Sequence, residues 1–101
     1  MERGAKDLPK VVNLKEKFDR IREYWKPKIV AELNDSHVKL VKLKGEFVWH
    51  HHDREDELFL VVDGDLRIEF PGGALRLRTG EIAVIPRGME HRPVAKDEVH
   101  V

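Results

Sequence analysis

His50-His51-His52, followed by Glu57 and much later by His91, are the residues whose types and spacing could do chemistry. Side chains alternate across a strand, so an extended chain puts His50 and His52 on one face and His51 on the other. Two imidazoles on one face, a carboxylate five residues on and a distant third imidazole are the donors of a mononuclear metal site. Three His and one carboxylate suit a borderline divalent transition metal and leave positions open for water or substrate. The opposite register sets His51 beside Phe47 and Trp49 and offers no second imidazole.

Those donors need elements to hold them. Residues 1–12 read as a flexible arm, with Pro9 and scattered charge. Asn13 with Glu16 three residues later forms a capping-box pattern, and Leu14, Phe18 and Ile21 follow at helical spacing. This predicts one short amphipathic helix over about 14–23, closed by Pro27, with its apolar stripe against the outside of a sheet. From Lys28 onward the pattern is strand-like. Lys28–Leu33 and Val38–Leu43 flank an Asn34-Asp35 turn, and Gly45 precedes an extended run over 46–52. Leu58–Val62, apolar without alternation, reads as a strand covered on both sides. Asp63-Gly64 reads as a hairpin turn. Leu66, Ile68 and Phe70 alternate with charges, as do Leu75 and Leu77. Pro71-Gly72-Gly73, Thr79-Gly80 and Pro86-Arg87-Gly88 supply turns, and a short strand is expected near His91. The last run, Glu98–Val101, reads as a strand beginning where the sequence stops, to be completed by a partner chain or by further sequence. Many short strands with Gly and Pro turns predict a single all-β sandwich or barrel spanning 13–101.

Composition narrows the class. The 101 residues carry 38% charged side chains and a formal net charge of zero, so there is no basic nucleic-acid footprint. The longest apolar run is too short to cross a membrane. The first seven residues show no apolar signal region, and the absence of Cys removes disulfide and thiol chemistry. A cytoplasmic protein is expected. Abundant Glu, Lys and Arg with two Asn and no Gln fit a thermophilic source.

Two spaced motifs resemble a known family. Gly45, then His50-x-His52, four residues, Glu57, six residues and Gly64 resemble the first motif of small cupins. Gly80, five residues, Pro86-x-Gly88, two residues and His91 resemble the second. Four residues rather than five separate Gly45 from His50, and Ala95 stands where the family pattern has Asn. The resemblance covers about residues 28–101. With the preceding helix, it is similar to the single-domain group loosely labelled mannose-6-phosphate isomerase-like. It implies a cupin-type jelly-roll barrel with His50, His52, Glu57 and His91 holding one Zn, Mn, Fe or Ni ion per chain.

The implied function is binding of, or action on, a small polar metabolite, with isomerase or dioxygenase chemistry within reach of the metal. The alternative is a non-catalytic metal- or ligand-binding module or accessory subunit. Phe47 and Trp49, turned away from the ligands, read as core beneath the helix or as a homodimer interface that Tyr24 and Trp25 could join. Arg87 and Arg92, near His91, would suit an anionic substrate, although solvated charge is the plainer expectation. Arg76, Arg78 and Glu90 read as solvated surface charge, and His37 and His100 as surface histidines.

Overall fold

The computed structural model describes residues 8–101; most of the expected arm lies outside them. Asn13 acts as the cap its side chain favours, its Oδ1 accepting from the Glu16 amide at 2.9 Å. The Glu16 carboxylate reaches forward to Arg20 at 2.9 Å. The helix itself (α1, Leu14–Asp19) is only six residues long and stops well short of residue 23. Its last turn tightens through Arg20 N–H to Lys17 O and Ile21 N–H to Phe18 O. The chain then leaves for the sheet: Tyr24 bridges Lys42, and the Trp25 amide donates to Lys42 O at 2.9 Å. Pairing with a strand therefore overrides the local helical pattern. The apolar stripe survives this break. Phe18 and Ile21 are buried with Leu40, flanked by Leu14, Val30 and Val62.

Eight strands follow. β1 (Lys28–Leu33) and β2 (Ser36–Leu40) form a hairpin, with Asn34 at φ 52° in its turn. β3 (Lys42–Glu46), β5 (Asp65–Phe70), β6 (Gly73–Arg78) and β8 (Arg92–His100) form a four-stranded antiparallel sheet in the order β3-β8-β5-β6. β4 (Glu57–Leu60) pairs only with β7 (Ile82–Ile85). These two sheets share a core in which Phe59, Val61 and Ile85 meet Leu43, Leu66, Ile68, Leu77, Ala95 and Val99.

Several expectations change. The run 38–43 is two strands broken at Val41, and 46–52 is extended only to Glu46. β4 is not covered on both sides. Phe59 is buried, but Leu58 and Leu60 face outward. Asp63-Gly64 turns the chain between sheets rather than within a hairpin, since β4 pairs β7 while β5 pairs β6 and β8. There Gly64 sits at φ 119°, and a Cβ would lie 3.1 Å from Val99 Cγ2 and 3.2 Å from Val99 Cα, so any other residue is strained. Glu98–Val101 does not begin a strand. Glu98–His100 ends the nine-residue β8, and Val101 exchanges backbone hydrogen bonds with Val41.

Candidate metal centre

The two histidine-bearing segments, residues 50–52 and His91, meet beside Glu57 at the start of β4. Residues 50–52 are not part of a continuous strand. His50 instead forms an isolated bridge with His91, each amide donating to the other's carbonyl at 3.1 and 2.9 Å. The Gly88 amide donates to His52 O at 2.7 Å, tying the second turn to the first histidine segment. Glu57 opens β4, on the same side as buried Phe59.

Ring orientation follows from the second nitrogen. His50 Nδ1 lies 3.0 Å from Val48 O, and His91 Nδ1 lies 2.9 Å from Met89 O. A carbonyl can only accept, so each Nδ1 carries the proton and each Nε2 presents a lone pair. Glu57 bridges the remaining donors: Oε2 is 3.2 Å from His52 Nε2 and Oε1 is 3.4 Å from His91 Nε2. Donor atoms of His50, Glu57 and His91 all lie within 4.8 Å of one another. His52 stands just outside that trio and joins it through Glu57. His51 turns outward to Asp53 at 2.9 Å.

His52 Nε2, Glu57 Oε1 and His91 Nε2 are buried without a hydrogen-bond partner. Leaving such groups unsatisfied is costly, and three of them aimed at one another are unusual in a folded core. A divalent cation would satisfy all three, and imidazole with carboxylate is a donor set such ions accept. The residues therefore fit a metal.

Aromatic rings wall the site. Phe59 stands edge-on to His91 with centroids 6.2 Å apart, and Phe70 lies 6.3 Å from the same ring. Phe47 does not turn away as expected: its ring meets His50 edge-on at 5.2 Å and stacks on Trp25 at 4.9 Å. The break in the strand after Glu46 releases it from the alternation. Phe59 was within reach of sequence reasoning, because it lies two residues beyond Glu57 on one strand. Phe70 was not, because only the pairing of β5 with β8 brings it near.

The cations beside His91 in sequence are engaged elsewhere. Arg92 contacts Glu69 at 2.6 Å and Glu46 at 3.4 Å, and lies 5.2 Å over the Trp49 ring. That guanidinium holds the Glu69 carboxyl below the usual carboxylate range. Arg87 approaches Asp56 at 3.6 Å. Glu90 is exposed, as expected. His37 is exposed too, but His100 is half-buried: its ring stacks on Phe18 at 4.6 Å and Nε2 contacts Glu98 at 2.8 Å.

Residues 37–101 match the family model described as the Cupin domain, Cupin_2. The chain belongs to the cupin family. A cupin-2 domain containing protein from Shewanella frigidimarina is 47% identical, with a TM-score of 0.88 over 89% of this chain and 88% of that one. Protein NMB1881 from Neisseria meningitidis is 35% identical, with a TM-score of 0.82 over 90% of this cupin and 93% of its own chain. YdbB of Bacillus subtilis (strain 168) is 35% identical over 86 residues, 84% of this cupin and 76% of the relative. Among the described residues, no helix of this cupin is long and apolar enough to cross a membrane.

Proposed function

We propose that this cupin holds one divalent transition metal through His50, His52, Glu57 and His91 and presents it to a small molecule carrying an oxygen donor. The observation that carries this reading is the set of three buried, unpartnered donor atoms on His52, Glu57 and His91. When bound, such an ion supplies Lewis acidity toward a carbonyl or water. The chain's own contribution is positional. The Val48 and Met89 carbonyls fix two imidazole rings, Glu57 supplies the single anionic donor, and Phe47, Phe59 and Phe70 limit water around it.

The aromatic enclosure favours a substrate with an apolar body behind its oxygen donor. Arg87 and Arg92, engaged by acidic partners, do not favour a phosphate or carboxylate group. Isomerisation and dioxygenation both fit these terms, and the mannose-6-phosphate isomerase-like label adds no reaction to them. One observation favours a second reading, a non-catalytic metal- and ligand-binding module. Among the described residues, no other titratable side chain is hydrogen-bonded to the four donors, so a dedicated acid or base is missing.

Metal content tests the ligand set. Stripped protein reloaded separately with Zn, Mn, Fe and Ni should bind one ion per chain. His91→Ala and His52→Ala should each weaken retention by well over the roughly 10-fold that a supporting residue would cost. His51→Ala should leave it unchanged. Equal losses in His51→Ala and His52→Ala would reject the assignment.

A further inference from the structure

Trp25 holds a backbone conformation that bulky side chains avoid. Its φ is 63°, in the left-handed region that glycine enters without cost. It lies where the chain crosses from α1 to β1, outside the segment 37–101 that matches the cupin family model. Two hydrogen bonds pin it to β3, an edge strand of the four-stranded sheet. Its amide donates to Lys42 O and its Nε1 to Lys44 O, both at 2.9 Å. A glycine would make the backbone bond equally well and without strain. What the position gains from tryptophan is therefore the ring.

The indole stacks on Phe47, with centroids 4.9 Å apart and planes 12° from parallel. Phe47 in turn meets His50 edge-on, at 5.2 Å and 84°. The His50 ring lies 4.4 Å from that of His91 and 5.4 Å from that of His52. A continuous run of rings thus leads from the edge of β3 to the metal donors. His50 needs that support. Residues 47–56 contain no strand, and His50 is tied to the sheet side only by its isolated bridge with His91. Its Nδ1 bonds to Val48 O, a carbonyl of the same strandless segment. An imidazole fixed only by its own loop turns when the loop turns. Contact with a ring anchored to a strand opposes that rotation, and donor geometry depends on such locked rotamers.

We propose, resting on the reading of His50 as a metal ligand, that Trp25 is a positioning residue of the metal centre, carrying the rigidity of β3 through Phe47 to the His50 ring. Its strained backbone persists because the two bonds to β3 and the stacked ring over-determine it. Trp25 also packs against the main core. Packing alone would make it a determinant of stability with no bearing on the metal. Metal affinity and coordination geometry separate the two roles.

Co(II) titration of the metal-stripped chain, followed by its visible absorption, tests this. Wild type should take up one Co(II) per chain. Trp25→Gly accepts the φ, keeps the amide bond and removes the ring. It should weaken Co(II) binding by roughly 10-fold, the cost of losing a supporting residue, and shift the visible bands. Trp25→Phe returns a ring for Phe47 to stack on, and should lie nearer to wild type than to Trp25→Gly in both readouts. Phe47→Leu breaks the run of rings at its middle link and should match Trp25→Gly. It decides the question if far-UV circular dichroism shows Trp25→Gly unfolded. Wild-type affinity and bands in folded Trp25→Gly or Phe47→Leu, with only urea stability reduced, overturn the inference and leave the metal centre standing. A Trp25→Phe chain as weak as Trp25→Gly overturns it too. A wild-type chain that binds no Co(II) removes the metal reading and this role together.

Discussion

The four-stranded sheet and the β4–β7 pair do the same work inside the molecule and opposite work outside it. Both line the core and both bring donors to the centre: His91 precedes β8 and Glu57 opens β4. The outer face of the larger sheet is dressed in ion pairs. Arg92 and Arg67 converge on Glu69, and Arg76 holds Asp65 at 3.0 Å. The outer face of the smaller sheet carries only Leu58, Leu60, Ile82 and Val84 among its exposed apolar side chains. One surface is finished for water and the other is not. The donors differ likewise: the His91 side chain is 1% exposed and Glu57 is 35% exposed. The wider sheet therefore holds its donor wholly in the core, while the narrow one leaves part of the Glu57 side chain at the surface with Oε1 itself buried.

Mutations on the buried and the bare faces sharpen this contrast. Ile68→Ala, within the wide sheet's buried face, should cost about 2–5 kcal/mol in urea unfolding. Gly64→Ala, at the junction of the two sheets, should cost about 1–3 kcal/mol through its positive φ and the contact with Val99. Leu58→Ala, on the exposed outer face, should cost under about 0.5 kcal/mol. A loss comparable to that of Ile68→Ala would break the distinction between the faces. The smallest effect is a pH-dependent one. Because Arg92 depresses the Glu69 carboxyl, their contact stabilises above the ordinary carboxylate range and is lost as pH falls through the depressed value. Unfolding curves of wild type and Arg92→Leu should be separated at neutral pH and draw together in acid. A gap of constant size would assign Arg92's contribution to its packing on Trp49 instead.

Residue type and spacing carried much of the site. The outward turn of His51 follows from alternation, whereas the meeting of His50, Glu57 and His91 was legible in the two spaced motifs that resemble the cupin pattern. What stayed hidden depended on which strands pair. Continuous apolar character at Leu58–Val62 does not reveal that one side is bare, because an uncovered aliphatic face and a buried one have the same composition. The early end of α1 was equally illegible, since it is set by Tyr24 and Trp25 docking on Lys42 in β3. Phe47 joined the site only because the strand lapses after Glu46.

Trp25 stands at φ 63°, donates through Nε1 to Lys44 O at 2.9 Å and backs the ring that meets His50. The recognised family segment begins at residue 37, inside β2. A protein trimmed to that boundary would lose half a hairpin, the lid over Leu40 and the brace behind the His50 imidazole. The segment matched by the family model and the unit that folds are different lengths of this polypeptide.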